Sequence, residues 1–334
     1  MNNKLFILLL ILLSFNRASA YEINYETKTF DEIKFTPQLN FQGTYNADFN
    51  NENSNFTYPF ALEAGGGMQF GEAENKIKAT ISLTRNVDEF DNKFLGRLSD
   101  VYYERKLNKN HRILIGNSRI PIGMEGSKSR YNLMFAKRAQ IASKFGNAKA
   151  AGVRFKGEIH KIDYDIGGYS STRFLQDIGD GAEFAGWINY KPYKDTEHIF
   201  KDLKIGAGIN AGYRDDDYTV AGIGGEWKYK NFLINTEYAY ANGSNASEYN
   251  QNKSQGLYTT AAYNFTDKFQ AAIRYDIFDD DINKSDDTVQ KYTAGLNYYV
   301  IGQKLKFSLN YTYTQNPKNA DDKNSIYFMT QILL

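Results

Sequence analysis

Lys304-Leu305-Lys306-Phe307-Ser308-Leu309-Asn310-Tyr311-Thr312-Tyr313-Thr314 alternates strictly between polar and apolar side chains. On a β-strand successive side chains point to opposite faces. The stretch therefore sets Leu305, Phe307, Leu309, Tyr311 and Tyr313 against Lys304, Lys306, Ser308, Asn310, Thr312 and Thr314. Wrapped as a helix, the same residues would have no apolar face. The pattern recurs upstream. Leu39, Phe41, Gly43 and Tyr45 alternate with Gln38, Asn40, Gln42 and Thr44, and Ile77, Ala79, Ile81 and Leu83 alternate with Lys76, Lys78, Thr80 and Ser82.

About sixteen such segments follow one another, with the roughly 9–11 residues of a tilted bilayer-crossing strand as the ruler. They start near Gln38, Phe60, Lys76, Leu98, Arg112, Lys149, Lys161, Glu183, Leu203, Thr219, Phe232, Leu257, Lys268, Thr288, Lys304 and Asn324. Their connections alternate between short turns and long polar stretches, as in barrels with short periplasmic turns and longer outer loops. Two connections break the rhythm. Residues 191–202 are long where a short turn is due, and residues 214–218 are short where a loop is due.

The composition agrees with strands that face lipid on one side and water on the other. There are 26 Tyr, 23 Phe and 27 Gly, but only 5 Pro and 2 Trp. Aromatic and β-branched residues suit strands, and tyrosine suits a membrane–water boundary. A soluble β-sandwich would also alternate, but it would rarely set lysines opposite the apolar face on nearly every strand. The chain has no cysteine, which excludes disulfide scaffolds, thiolate nucleophiles and cysteine-ligated metals. A net charge of +1 points to no particular partner, and an exported barrel has no access to nucleic acid.

Residues 1–20 read as a secretory signal peptide. Lys4 is followed by the apolar run Leu5-Phe6-Ile7-Leu8-Leu9-Leu10-Ile11-Leu12-Leu13 and by Ala18-Ser19-Ala20, with cleavage expected after Ala20. The expected organisation is a signal peptide at 1–20, a short periplasmic segment at 21–35, and an outer-membrane barrel at 36–334. The last strand ends on Leu334 and must pair with the first, because hydrocarbon tolerates no open sheet edge.

The longest connection, residues 117–148, carries the functional signal. Between Arg112 and Lys156 there are ten basic residues and one acid, Glu125. Arginine and lysine rings attract anions into a pore. The stretch also holds Ile120, Pro121, Ile122, Met124, Leu133, Met134, Phe135, Ile141 and Phe145, too apolar for a loop in free solvent. A basic outer loop that binds lipopolysaccharide phosphates or is simply solvated is the alternative. On the wall, fourteen basic positions fall on inward parity against nine acidic ones, with lysine outnumbering arginine. Phosphate is gripped best by the arginine fork. Only Arg112, Arg154 and Arg274 are arginines among these wall positions, so weak anion preference is expected rather than strict phosphate specificity.

Gly116-x-x-Arg119-x-Pro121-x-Gly123-x-Glu125, Leu133-x-Phe135-x-x-Arg138, Phe145-Gly146 and Gly152-Val153 resemble the phosphate-selective porin O and P family. The resemblance is detailed over roughly residues 112–155 and loose elsewhere. It implies a sixteen-stranded trimeric barrel whose third outer loop narrows the pore, with Arg119, Arg130 and Arg138 at the constriction. Lys137 stands where the family tends to carry an acid. The candidate constriction set is Arg119, Lys128, Arg130, Lys137, Arg138 and Lys144. The candidate wall set is Arg112, Arg154, Lys156, Arg274, Lys304 and Lys306.

Catalysis has little support. His111, His160 and His198 all fall in short-side connections, and no HExxH or paired-histidine spacing exists. Asp279-Asp280-Asp281 with Asp286-Asp287 does not match a calcium loop. The expectation is a transmembrane antiparallel β-barrel with an inward-folded third outer loop. It would pass small hydrophilic solutes, anions preferred, without cofactor or metal, in contact with lipid and lipopolysaccharide, as a homotrimer. A structural or adhesive barrel that uses its outer loops as a binding surface is the alternative.

Overall fold

The computed structural model describes residues 23–25, 33–50, 54–72, 74–88, 91–172, 179–246, 249–317 and 320–334. The signal peptide expected at 1–20 lies outside the described residues. Among them are eighteen strands: β1 (Ile23–Tyr25), β2 (Ile33–Phe49), β3 (Ser54–Thr57), β4 (Phe60–Phe70), β5 (Asn75–Asp88), β6 (Asp91–Lys106), β7 (His111–Arg119), β8 (Lys149–Ile159), β9 (Ile162–Ser170), β10 (Ala182–Tyr190), β11 (Lys204–Arg214), β12 (Asp216–Tyr229), β13 (Phe232–Asn245), β14 (Tyr249–Asn264), β15 (Phe269–Asp279), β16 (Thr288–Ile301), β17 (Leu305–Gln315) and β18 (Lys323–Leu333).

Sixteen of these, β2 and β4 to β18, form the ring, each antiparallel to its neighbour. The ring closes where β18 pairs with β2, from Asn324 opposite Phe49 to Leu333 opposite Asn40. Leu39 and Leu334 add two backbone bonds at the seam, 3.2 and 2.9 Å. Closure satisfies the backbone of every wall strand inside the hydrocarbon. The two short strands take the edges of β2 that its ring neighbours leave open: β1 pairs with Ile33–Phe35 and β3 with Asn46–Phe49.

Burial runs opposite to that of a soluble protein. On β17 Lys306, Ser308 and Asn310 are 0%, 1% and 1% exposed, while Leu309 and Tyr311 are 47% and 46% exposed. The outer face carries Ile77, Ile81, Leu98, Ile115, Phe184, Ile188, Ile209, Ile223, Ile273, Leu296 and Phe328, all exposed to the surroundings of a single chain. Each such side chain gains on the order of 1.5–3 kcal/mol by meeting hydrocarbon rather than water. This is the belt of an outer-membrane barrel.

Three boundaries differ from the sequence reading. Ile33–Phe35 belong to the wall, because β2 pairs with β4 from Ile33 onward, so the barrel begins before residue 36. Strand β14 begins at Tyr249 rather than Leu257, since the polar run Asn250 to Gln255 shows no alternation although its backbone pairs. Strand β6 begins at Asp91 rather than Leu98. The register slips between the pairs Ala79–Val101 and Ile81–Leu98, and a slip of this kind reverses side-chain parity. The two irregular connections are present. A single residue, Asp215 with φ of 56°, joins β11 to β12, and residues 191–203 fill the opposite rim.

Candidate functional site

The long connection between β7 and β8, residues 120–148, lies against the inner wall and is held there through its backbone. It enters as Ile120-Pro121-Ile122, where Ile120 and Ile122 cluster with Ala148, Ala150, Tyr169 and Ala185. Gly123 then takes φ of +71°, and a Cβ there would sit 2.2 Å from Glu237 Oε1. That close approach lets the Glu237 carboxylate accept the N–H groups of Met124 (3.0 Å) and Glu125 (3.3 Å). The two limbs of the loop cross at Gly126 and Gly146, where Asn147 N–H donates to the Gly126 carbonyl at 3.1 Å.

Beyond the crossing the loop spans to the closing seam. A 3-10 turn, Arg130–Asn132, is capped by Ser129, whose Oγ accepts from Tyr131 N–H. Wall side chains donate to its carbonyls: Gln42 to Arg130 (3.5 Å), Gln331 to Tyr131 (3.0 Å) and Lys306 to Leu133 (2.7 Å). Ala136 N–H donates to Asn310 Oδ1 at 2.7 Å. The return limb carries a short helix, α1 (Gln140–Lys144), without a cap from its own N-cap residue, Ala139. The wall supplies one, since Gln140 N–H donates to Asp276 Oδ2 at 2.8 Å. Ala139, Ile141, Ala142 and Phe145 pack on Val220, Ala239, Ala241, Tyr258 and Phe278.

The loop's lone acid is the hub of this side. Glu125 accepts from Ala139 N–H at 2.7 Å and pairs with Arg274 Nη2 at 2.5 Å. Arg274 also donates to Thr260 (3.0 Å) and to the Lys137 carbonyl (3.3 Å), with its guanidinium over the rings of Phe135 and Tyr258. The side of the lumen under β12 to β18 is therefore filled.

The opposite side is open. A cavity of about 1210 Å³ is bounded by β2 and β4 to β8, by Ser129 to Asn132 and Asn147 to Lys149, and at one end by Arg214, Ala246 and Tyr249. Nine basic residues line it: Lys76, Lys78, Arg97, Arg119, Arg130, Lys149, Arg154, Lys156 and Arg214. The acids are Glu63, Asp100 and Glu104. Asp100 is matched by Lys78 (2.9 Å) and Lys149 (2.5 Å). Glu63 accepts from Gln38 (2.6 Å) and Ser99 (2.9 Å). Arg154 is held by Asp165 at 2.6 and 2.5 Å and donates to the Arg119 carbonyl at 2.7 Å. Among the described residues no ion pair engages Arg97, Arg119 or Arg130, and Arg119 reaches only Asn147 Oδ1, at 2.9 Å. Burial holds the Arg130 guanidinium below its ordinary range; Tyr131 opposes the shift and Arg97 adds to it. A group placed among like charges in this way favours an anion between them.

The sequence-derived residues divide. Of the constriction set, Arg119 and Arg130 line the cavity. Arg138 does not. Its guanidinium donates to the carbonyls of Glu125 (2.5 Å) and Lys128 (2.6 Å), and burial, with Arg119 nearby, pulls it down to about 9. Lys128 turns to Glu226 at 3.6 Å, Lys137 lies over Tyr327, and Lys144 reaches Asp280 at 3.5 Å. Of the wall set, Arg154 and Lys156 line the cavity. Arg274 and Lys306 are buried loop anchors rather than pore lining, because their donors are spent on the loop. Arg112 does not line the cavity itself but pairs at 3.6 Å with Glu104, which does, and Lys304 sits in the turn before β17.

Sequence reasoning missed Arg97 and Arg214. Arg97 faces Ser82 across the β5–β6 ladder only because of the register slip. Arg214 flanks the one-residue turn that the alternation left without a loop. The histidines stay at the rim. His111 Nδ1 is 2.8 Å from Tyr164 OH, His160 takes φ of 54° in a turn, and His198 Nδ1 accepts from Phe200 N–H.

The family model described as phosphate-selective porin O and P matches residues 202–333. The match covers β11 to β18 and lies outside residues 112–155, where the sequence resemblance was most detailed. No curated protein sequence matches the chain. Solved structures share the fold. OmpF of Salmonella typhi, in complex with daunomycin, superposes with a TM-score of 0.66 at 12% identity, covering 93% of this chain and 100% of the other. The anion-selective porin from Comamonas acidovorans gives 0.64 at 10% identity, covering 91% and 100%. The outer-membrane channel DcaP of Acinetobacter baumannii gives 0.63 at 10% identity, covering 93% and 99%.

Proposed function

We propose that this outer-membrane porin barrel is a passive channel for small hydrophilic solutes that favours anions. One observation carries the reading: the part of the lumen that the loop leaves open is lined by nine basic and three acidic side chains. A positive lining between low-dielectric walls raises the local concentration of anions and lowers their barrier to entry. Arg97, Arg119 and Arg130 are the narrow-point residues in this reading, one from a wall strand, one at the root of the loop and one on its tip. The lysines around them act as point charges that draw an anion along.

Small oxyanions, phosphate among them, suit the arginine forks. The family match and the anion-selective porin from Comamonas acidovorans point the same way. Assembly as a homotrimer is what the family resemblance implies, and the OmpT structure of Vibrio cholerae, which has a similar fold, is a trimer form. Export by residues 1–20 with cleavage after Ala20 completes the proposal, and N-terminal sequencing of the protein from outer membranes checks it. The channel test is a planar bilayer. Stable conductance steps with an anion-signed zero-current potential support the reading. A barrel that conducts nothing would instead be the structural or adhesive alternative.

A further inference from the structure

Residues 191–203 stand at the rim that otherwise carries short turns, and the pore does not use them. The segment is built rather than slack. Lys191 Nζ contacts Asp163 Oδ1 at 2.6 Å and Glu158 Oε2 at 3.1 Å, and Lys194 pairs with Glu158. Lys161 Nζ donates to the Pro192 carbonyl at 2.9 Å. Four internal turns follow, closed by Lys194, Thr196, Lys201 and Leu203 N–H groups.

Its rings face outward. Tyr193 stacks on His198 with centroids 5.1 Å apart, and Phe200 packs on Trp227 at 5.6 Å. Trp227 stacks on Tyr229 at 6.0 Å, and its Nε1–H donates to the Ile199 carbonyl at 2.9 Å. Trp227 and Tyr229 share strand parity with Ile223, a side chain of the lipid-facing belt that is 55% exposed. The segment thus folds back over the outside of the wall. It leaves Ile199 46% and Tyr193 39% exposed, continuous with Tyr190, Ile205 and Phe232 of the belt. Tryptophan and tyrosine favour the headgroup layer, where an apolar ring meets a wet edge.

We propose that residues 191–203 form a foot that lies in the headgroup layer of the inner leaflet, with Ile199, Phe200 and Tyr193 in contact with phospholipid. The inference rests on the barrel's placement in the outer membrane and not on its anion preference. Continuity with the lipid-facing belt selects lipid over a protein partner. The foot would fix the depth of the β10–β12 side of the barrel against the bilayer.

The chain has no cysteine, so single-cysteine spin labels read this directly. Three variants, Ile199→Cys, Lys109→Cys and Ile223→Cys, are labelled in the full-length folded protein. They are placed in vesicles of phosphatidylethanolamine and phosphatidylglycerol, with oxygen and a water-soluble nickel chelate as collision partners. Lys109, in the turn before β7, is the aqueous reference, and Ile223 is the hydrocarbon reference. The Ile199 label should show an oxygen-to-nickel accessibility ratio several-fold above that of Lys109 and below that of Ile223. Adding Phe200→Asp should move that ratio toward the Lys109 value. A ratio equal to Lys109 would place the segment in water and overturn the proposal. Spin–spin broadening at Ile199 would place a second copy of the chain there and overturn it equally.

Discussion

The two sides of the lumen are lined by similar residues and end up in different states. Under β12 to β18 the inward charges Glu237, Asp276, Arg274 and Lys306 all bind the loop. Under β2 to β8 Lys76, Lys78, Arg97, Arg119, Lys149, Arg154 and Lys156 face open space. Charge counted along a strand therefore says little about a pore. What decides is whether the loop's backbone has already claimed the group. The filled side fixes the loop, and the fixed loop presents Arg130 to the open side.

Breaking the filled side should have the largest effect. Arg274→Met removes the cation that pairs with the buried Glu125 carboxylate and one donor to the Lys137 carbonyl. Loss of one partner from a buried pair costs about 3–5 kcal/mol. The expected outcome is a large drop in the urea midpoint of the loop's protease protection, together with noisy, multi-level conductance. Quiet wild-type steps would show that the loop is held elsewhere. Gly123→Ala comes next. It forces a side chain into left-handed backbone and against Glu237, at about 1–3 kcal/mol for the backbone conformation alone. It should loosen the same loop by the same assay, to a smaller extent.

Changes on the open side should alter selectivity and leave stability nearly as it was. Replacing Arg97, Arg119 and Arg130 together by Ala should move the zero-current potential in a potassium chloride gradient toward cation preference. Arg138→Ala is the control that sharpens the comparison. Its donors serve loop carbonyls, so its effect should appear in loop stability and far less in the potential. Asp100→Asn releases Lys78 and Lys149 from their shared carboxylate and should increase anion preference modestly, read from the same potential. The smallest effect is expected from changing His111, His160 and His198 together to Gln. Conductance and selectivity should stay at wild-type values, and a loss of either would give the rim a role this account lacks.

The ring was readable because hydrocarbon and water impose period two on every strand, and β17 states that rule in eleven residues. The loop was readable as a basic, apolar insertion between Arg119 and Lys149. Its anchoring was not, because Arg274 and Lys306 carry the same alternation signal whether they face water or a carbonyl. Only the neighbour across the lumen distinguishes the two cases. Arg97 was hidden for another reason. The alternation starts only at Leu98, so residues 85–97 read as a connection, whereas Arg97 lies on β6 and the slip beside Ser99 and Asp100 turns it inward opposite Ser82. The family resemblance was drawn from residues 112–155 while the family match falls on residues 202–333. That match spans β11 to β18 and leaves out the loop, whose chemistry is set by its own contacts.

The central claim is that the open side of the lumen is an electropositive passage. The most direct test is the zero-current potential of the wild-type protein in a planar bilayer, under gradients of potassium chloride and then of potassium phosphate, compared with the Arg97, Arg119 and Arg130 triple variant. The account predicts an anion-signed potential in both salts that falls toward zero or reverses in the variant. A cation-signed wild-type potential, or a variant indistinguishable from wild type, would contradict it.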